Sequence, residues 1–105
     1  MSDALDKLFA TIASRKGSDP GQSYTAALLA AGVEKCAKKF GEEAVETVIA
    51  AIQKDKSELA KESADVLYHL AVLWAAGGIS PEDVYAVLKS REGTSGLDEK
   101  AARKY

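Results

Sequence analysis

Glu42-Glu43-Ala44-Val45-Glu46 and, sixteen residues after its last acid, Glu62-Ser63-Ala64-Asp65 are the two stretches on which the reading of this chain turns. Acids spaced i,i+3 fall on one face of an α-helix. The apolar residues around them recur at helical spacing as well. Val33, Ala37, Ala44, Val45, Val48, Ile49 and Ile52 surround the first acids, and Leu67, Tyr68, Leu70, Ala71, Val72, Leu73 and Trp74 follow the second. Two long helices are therefore expected, over about 33–54 and about 57–76, separated by the polar break Asp55-Lys56-Ser57.

Outward from this pair the pattern stays helical. Asp3 to about Arg15 carries Leu5, Leu8, Phe9 and Ile12 on one face, and Gly17-Ser18-Asp19-Pro20-Gly21 reads as a loop. A short helix begins at Ser23-Tyr24-Thr25 and ends at Gly32. Gly77-Gly78 stops the second long helix. Ser80-Pro81-Glu82-Asp83 then has an N-cap, a proline at N1 and acids in the first turn of a helix reaching about Arg91. Leu97 to Lys104 is a candidate last helix after the loop Gly93-Thr94-Ser95-Gly96. β-branched alternation is scarce, and there is no internal repeat, low-complexity tract or domain boundary. The expectation is one all-α domain over residues 1–105, a multi-helix bundle. Its helix 57–76 is apolar on most sides, more than 105 residues can easily cover. Homodimerisation, or a higher even oligomer with Leu67–Trp74 at or near the interface, is the simplest remedy.

Composition narrows the function classes. Fourteen Lys and Arg against sixteen Asp and Glu give a net charge of −2, which argues against a bulk nucleic-acid binder. The single cysteine, Cys36, rules out an intrachain disulfide framework and suits a reducing compartment; it is read as a core residue. The polar start has no signal-peptide core, and no apolar run approaches the ~18–20 residues of a membrane span. A soluble, cytoplasmic protein with no membrane partner is expected.

The acids carry the chemistry. Glu42, Glu43 and Glu46 occupy one arc of about 100°. A short connection makes the next helix antiparallel, so Glu62 and Asp65 can face them. The bland alternative is a solvated acidic face. Against it, Glu62 and Asp65 interrupt an apolar helix, and carboxylates near a core need a partner. All-oxygen donors favour Mg²⁺, with Mn²⁺ possible. The Glu-x-x-His spacing of helical di-iron sites is missing. Lys35, Lys38 and Lys39 precede the acids by up to two turns. They serve either as surface ion-pair partners of Glu42 and Glu43 or as phosphate contacts. No Gly-x-x-x-x-Gly-Lys loop is present to cradle a phosphate by backbone alone. His69 reads as a structural residue, with support of Asp65 as the functional alternative. Trp74, Tyr68 and Tyr85 read as packing residues, and Arg91 as a cation at a helix end.

Three stretches resemble a known family: Ser23-Tyr24-Thr25-Ala26-Ala27-Leu28, Lys39-Phe40-Gly41-Glu42-Glu43-Ala44-Val45-Glu46, and Ala64-Asp65-Val66-Leu67-Tyr68-His69-Leu70-Ala71-Val72-Leu73. The acidic motif resembles that of the MazG-like all-α nucleoside triphosphate pyrophosphatases. The Ser-Tyr-Thr and Asp-x-x-Tyr-His-Leu stretches resemble the phosphoribosyl-ATP pyrophosphatases of histidine biosynthesis more narrowly. The resemblance covers about residues 5–92, with 93–105 as a C-terminal extension, and fits the stand-alone rather than the fused form. It implies hydrolysis of 1-(5-phosphoribosyl)-ATP to 1-(5-phosphoribosyl)-AMP and pyrophosphate, the second step of histidine biosynthesis, by metal-assisted attack of water on the α–β phosphoanhydride. It implies Glu43, Glu46, Glu62 and Asp65 as metal ligands, and Glu42, Glu43 and Glu46 as the catalytic acids. Glu42 is left either to orient the attacking water or to bind a second metal. Lys39, with Lys38 behind it, becomes the phosphate contact. A housecleaning pyrophosphatase for noncanonical nucleoside triphosphates and a non-enzymatic helical dimerisation module remain the alternatives.

Overall fold

The computed structural model describes residues 3–93. They form five helices: α1 (Asp3–Ser14), α2 (Tyr24–Ala31), α3 (Val33–Ile52), α4 (Lys56–Gly77) and α5 (Pro81–Ser90). There is no strand among the described residues, so the all-α expectation holds. The helix suggested over Leu97–Lys104 lies outside the described residues.

Local chemistry sets each boundary. Ser23 caps α2 by accepting from the Ala26 N–H at 3.1 Å. Asp55 caps α4 by accepting from the Glu58 N–H at 3.0 Å. The break between the long helices thus falls at Gln53–Asp55, slightly earlier than the sequence pattern suggested. Lys54 takes φ 59° there, a left-handed conformation that costs a non-glycine residue about 1–2 kcal/mol. It reverses the chain in three residues and makes α3 and α4 an antiparallel hairpin. α4 ends on Gly78 in the left-handed region, and the Ile79 N–H reaches back to the Trp74 carbonyl at 3.0 Å. α5 opens with a reciprocal capping box between Ser80 and Asp83, with Pro81 at N1.

The α3–α4 hairpin is the most extensive helix contact, and α1 and α2 pack on α4. Their shared core contains Ile12 of α1, Leu28 of α2, Cys36 of α3, and Ala71 and Val72 of α4. The Cys36 thiol donates to the Leu28 carbonyl at 3.2 Å, which makes it a packing residue and, through burial, raises its pKa. Tyr85 ties α5 to α1 through its hydroxyl, which donates to Asp6 at 2.9 Å.

The apolar surplus sits elsewhere than α4's composition suggests. His69, Ala71, Val72 and Trp74 are all buried inside this one chain, because α1, α2 and α3 cover them. At ~100° per residue, Cys36, Glu43, Thr47 and Ala50 of α3 share an arc of about 60° turned toward α4. Val45, Val48, Ile49 and Ile52 occupy the opposite arc, and each is about half or more exposed. α3 thus carries a continuous uncovered apolar face, while on α4 Leu67 is also 47% exposed.

Ile12 is 1% exposed and joins α1 to the α3–α4 hairpin. Truncation to Ala removes three buried carbons that the helix packing cannot fully close over. Ile12→Ala is expected to lower the unfolding free energy by about 2–5 kcal/mol, read from urea denaturation followed by circular dichroism.

Candidate metal centre

Three of the sequence-selected acids meet at the α3–α4 hairpin, with a fourth alongside. Glu43, Glu62 and Asp65 each offer a carboxylate oxygen, and the three oxygens lie within 4.8 Å of one another. Glu46 stands beside them, close enough to be the largest cause of the raised Glu43 pKa and to add its charge to the field at Glu62. Glu42 does not join the cluster. It lies about 100° round the helix from Glu43, is exposed, and pairs with the Lys39 ammonium at 3.2 Å.

Thr47 locks the two helices together at this level. Its hydroxyl lies 3.0 Å from the Glu43 carbonyl on its own helix and 3.2 Å from the Glu62 carbonyl across the hairpin. One hydroxyl proton is thus shared by the backbones that carry two of the acids. Sequence reasoning passed over Thr47, although it lies on the Glu43 face one turn further on. It also passed over Glu58, one turn before Glu62, whose proximity helps raise the Glu62 pKa.

The electrostatics follow from crowding. Glu43 is pushed up to about 7 by its hydrogen bond with Glu46, by burial, and by the charges of Glu46, Asp65 and Glu62. Glu62 is raised by burial, then by Glu58, Glu46 and Asp65. Glu42 moves the other way, because the hydrogen bond and charge of Lys39 hold its carboxyl below the usual range. Burial, aided by Lys39, lowers the pKa of His69, whose Nε2 lies 3.8 Å from Glu43.

A cluster that resists ionising in this way is suited to a cation. Glu62 Oε2 is buried with no hydrogen-bond partner, and a bound divalent ion would supply one. The donors are all carboxylate oxygens, the set that hard divalent cations take. Two open clefts give access. One of about 430 Å³ is lined by Lys39, Glu42, Glu43, Val45 and Glu46. The other, of about 250 Å³, is lined by Glu46, Ile49, Ala50, Gln53, Glu58 and Glu62. Lys38 is exposed one turn before Glu42, and its charge contributes to lowering the Glu42 pKa.

The two other motif stretches converge on the same place. The hydroxyls of Thr25 and Tyr68 are hydrogen-bonded to each other. The Tyr24 and Tyr68 rings both stand edge-on to His69, at centroid separations of 6.3 and 5.0 Å.

The family model for phosphoribosyl-ATP pyrophosphohydrolase matches residues 5–92. The chain belongs to the phosphoribosyl-ATP pyrophosphohydrolase family. Relatives named phosphoribosyl-ATP pyrophosphatase align along nearly the whole length. The protein of Parvibaculum lavamentivorans is 64% identical over 99 residues, covering 94% of this chain and 91% of its own. That of Paramagnetospirillum magneticum is 60% identical over 102 residues, covering 97% and 94%. The phosphoribosyl-ATP pyrophosphohydrolase family is thus represented here by a five-helix unit whose acids are gathered by one hairpin. Among the described residues no helix is long and apolar enough to cross a membrane.

The raised Glu43 pKa makes stability depend on pH. Below about 4.5 the carboxyl is protonated in both folded and unfolded chains. As pH rises toward 7 the unfolded chain ionises first, so the folded state loses stability through this window and levels off above it. Melting temperatures in EDTA are expected to fall from pH 4.5 to pH 7 more steeply for the wild type than for Glu43→Gln. Equal slopes would show that Glu43 does not carry the shifted proton.

Proposed function

We propose that this chain hydrolyses 1-(5-phosphoribosyl)-ATP to 1-(5-phosphoribosyl)-AMP and pyrophosphate in histidine biosynthesis, with Mg²⁺ or Mn²⁺ held by Glu43, Glu46, Glu62 and Asp65. The observation that carries this reading is the meeting of three carboxylate oxygens from two helices within 4.8 Å, in a chain of this family. A divalent cation there supplies countercharge and Lewis acidity to the phosphate oxygens. Lys39 adds positive charge at the open side of the site. Its flexible stem lets the ammonium exchange the Glu42 carboxylate for a phosphate oxygen, with Lys38 one position behind. Glu42, kept ionised by Lys39, is a hydrogen-bond acceptor at the rim of the same cleft. We assign it the orientation of the attacking water. That water displaces pyrophosphate in line, and no covalent intermediate is required.

The reading is tested by incubating the purified chain with phosphoribosyl-ATP and Mg²⁺ and measuring pyrophosphate. Turnover is expected with this substrate and not with simple noncanonical nucleoside triphosphates, which separates the reading from a housecleaning role. Glu46→Gln and Asp65→Asn should each cut turnover by orders of magnitude with the fold intact, since an amide keeps the shape and loses the charge. Wild-type turnover in both variants would remove these residues from the site.

Cation binding also appears as stability. Binding to the native state adds RT ln(1 + [L]/Kd), about 2.7 kcal/mol at a hundred times Kd. Mg²⁺ should therefore raise the melting temperature beyond ionic-strength-matched NaCl. Replacing Glu43 and Glu62 together by Gln should raise the metal-free melting temperature and abolish that increment. A full increment in the double variant would place the ion elsewhere.

The assembly we propose is a homodimer formed through α3. Val45, Val48, Ile49 and Ile52, at i, i+3, i+4 and i+7, are 58%, 56%, 48% and 73% exposed. That continuous apolar face on a small chain is best covered by a second copy. Light scattering at micromolar concentration is expected to give a dimer for the wild type and a monomer for Val48→Asp. A monomeric wild type would refute the proposal.

A further inference from the structure

Among the described residues His69 is the only charged or strongly polar side chain in the buried core, 6% exposed. Packing alone does not account for it. An apolar side chain of similar volume would fill the same space without leaving a buried nitrogen unpaired, and Nδ1 has no hydrogen-bond partner. Nε2, by contrast, lies 3.8 Å from Oε1 of Glu43. The tautomer follows from this geometry. A proton on Nε2 turns a donor toward the carboxylate. A proton on Nδ1 would turn a lone pair toward that carboxylate and bury an N–H with no acceptor.

The ring is aimed from behind. Tyr68 stands edge-on at 5.0 Å with an interplanar angle of 79°, and Tyr24 at 6.3 Å and 87°. Tyr68 is in turn tethered by its hydroxyl to Thr25 on α2. These contacts run from α2 through α4 to an acid on α3. The final gap is longer than a hydrogen bond by just under 1 Å. Such contacts tighten when the site is filled.

We propose that His69 is a positioning residue: its Nε2–H, aimed by Tyr24, Tyr68 and Thr25, fixes which oxygen Glu43 presents to a divalent cation. This rests on the carboxylate cluster being the cation site. A ligand whose orientation is set by its neighbour loses less freedom on binding the ion. His69 contributes through Glu43 and touches neither cation nor substrate.

The test is Mn²⁺ binding to the full chain, read by electron paramagnetic resonance of the free ion and therefore independent of turnover. His69→Gln retains an N–H donor near the Nε2 position. His69→Leu and His69→Phe retain bulk without a donor, and His69→Phe also keeps the ring edge against Tyr68. The donor-free variants are expected to bind Mn²⁺ about 10–100-fold more weakly, with metal-free melting temperatures equal to or above the wild type. His69→Gln should bind close to the wild type. A folded donor-free variant that binds Mn²⁺ as tightly as the wild type overturns the positioning role and leaves the cation site standing. Failure of both donor-free variants to fold makes His69 a structural residue and also overturns it. A wild-type chain that binds no Mn²⁺ overturns the cation site itself, and this role with it.

Discussion

Carboxylates held face to face across two antiparallel helices repel one another, and the rest of this molecule works to keep them there. Separation would relieve the repulsion, so the hairpin has to be held by other contacts. Thr47 joins the helices at the level of the acids. The reversal at Gln53–Asp55 keeps α3 and α4 in register despite the left-handed backbone at Lys54. Burial of Ala71 and Val72 with Ile12 of α1 and Leu28 of α2 holds α4 through helices other than α3. What remains of the strain shows as the raised pKa values of Glu43 and Glu62. A proton relieves it in the metal-free chain, and a cation relieves it better because it can neutralise several acids at once.

The same constraint explains why α2, a helix of eight residues, is placed where it is. Ser23 ends the preceding loop by capping α2, which sets the direction in which Tyr24 and Thr25 leave the cap. Thr25 then meets Tyr68, and Tyr24 meets His69. The Ser-Tyr-Thr and Tyr-His segments are 43 residues apart between the bonded hydroxyls, yet they form one contact system behind the acids. In sequence they read as separate signatures. In space they are a single support.

Much of this was legible beforehand because it is local. Caps, prolines and glycines mark helix ends through the chemistry of one or two residues, and the boundaries at Ser23, Gly32, Gly78 and Ser80 follow from them. The i,i+3 acids on successive helices likewise announced the carboxylate cluster, since a short connection leaves antiparallel packing as the natural arrangement. What periodicity could not give was the rotation of α3 about its own axis. Glu42, Glu43 and Glu46 share one arc, but only contact with α4 decides that Glu43 turns inward while Glu42 turns out to Lys39. Thr47 and Glu58 were missed for the same reason: each becomes significant through a partner on the neighbouring helix or turn. α4, apolar on most sides, is covered at Ala71, Val72 and Trp74 by the other helices, while its Leu67 stays exposed.

That rotation has one further consequence. Measured around α3 at ~100° per residue, the face turned to α4 and the exposed stripe of Val45, Val48, Ile49 and Ile52 are opposite each other. Glu42 and Glu46 lie on the arc between them. Glu42 and Glu46 therefore occupy the seam where the α4-facing side ends and the uncovered apolar face begins. Val45 lines the cleft on one side of Glu46, and Ile49 lines the cleft on the other. A surface packed on the stripe would border both clefts, and the water it displaced from their edge would strengthen the charge interactions inside them. Exposed apolar residues and carboxylates are thus interleaved, one turn at a time, along one helix.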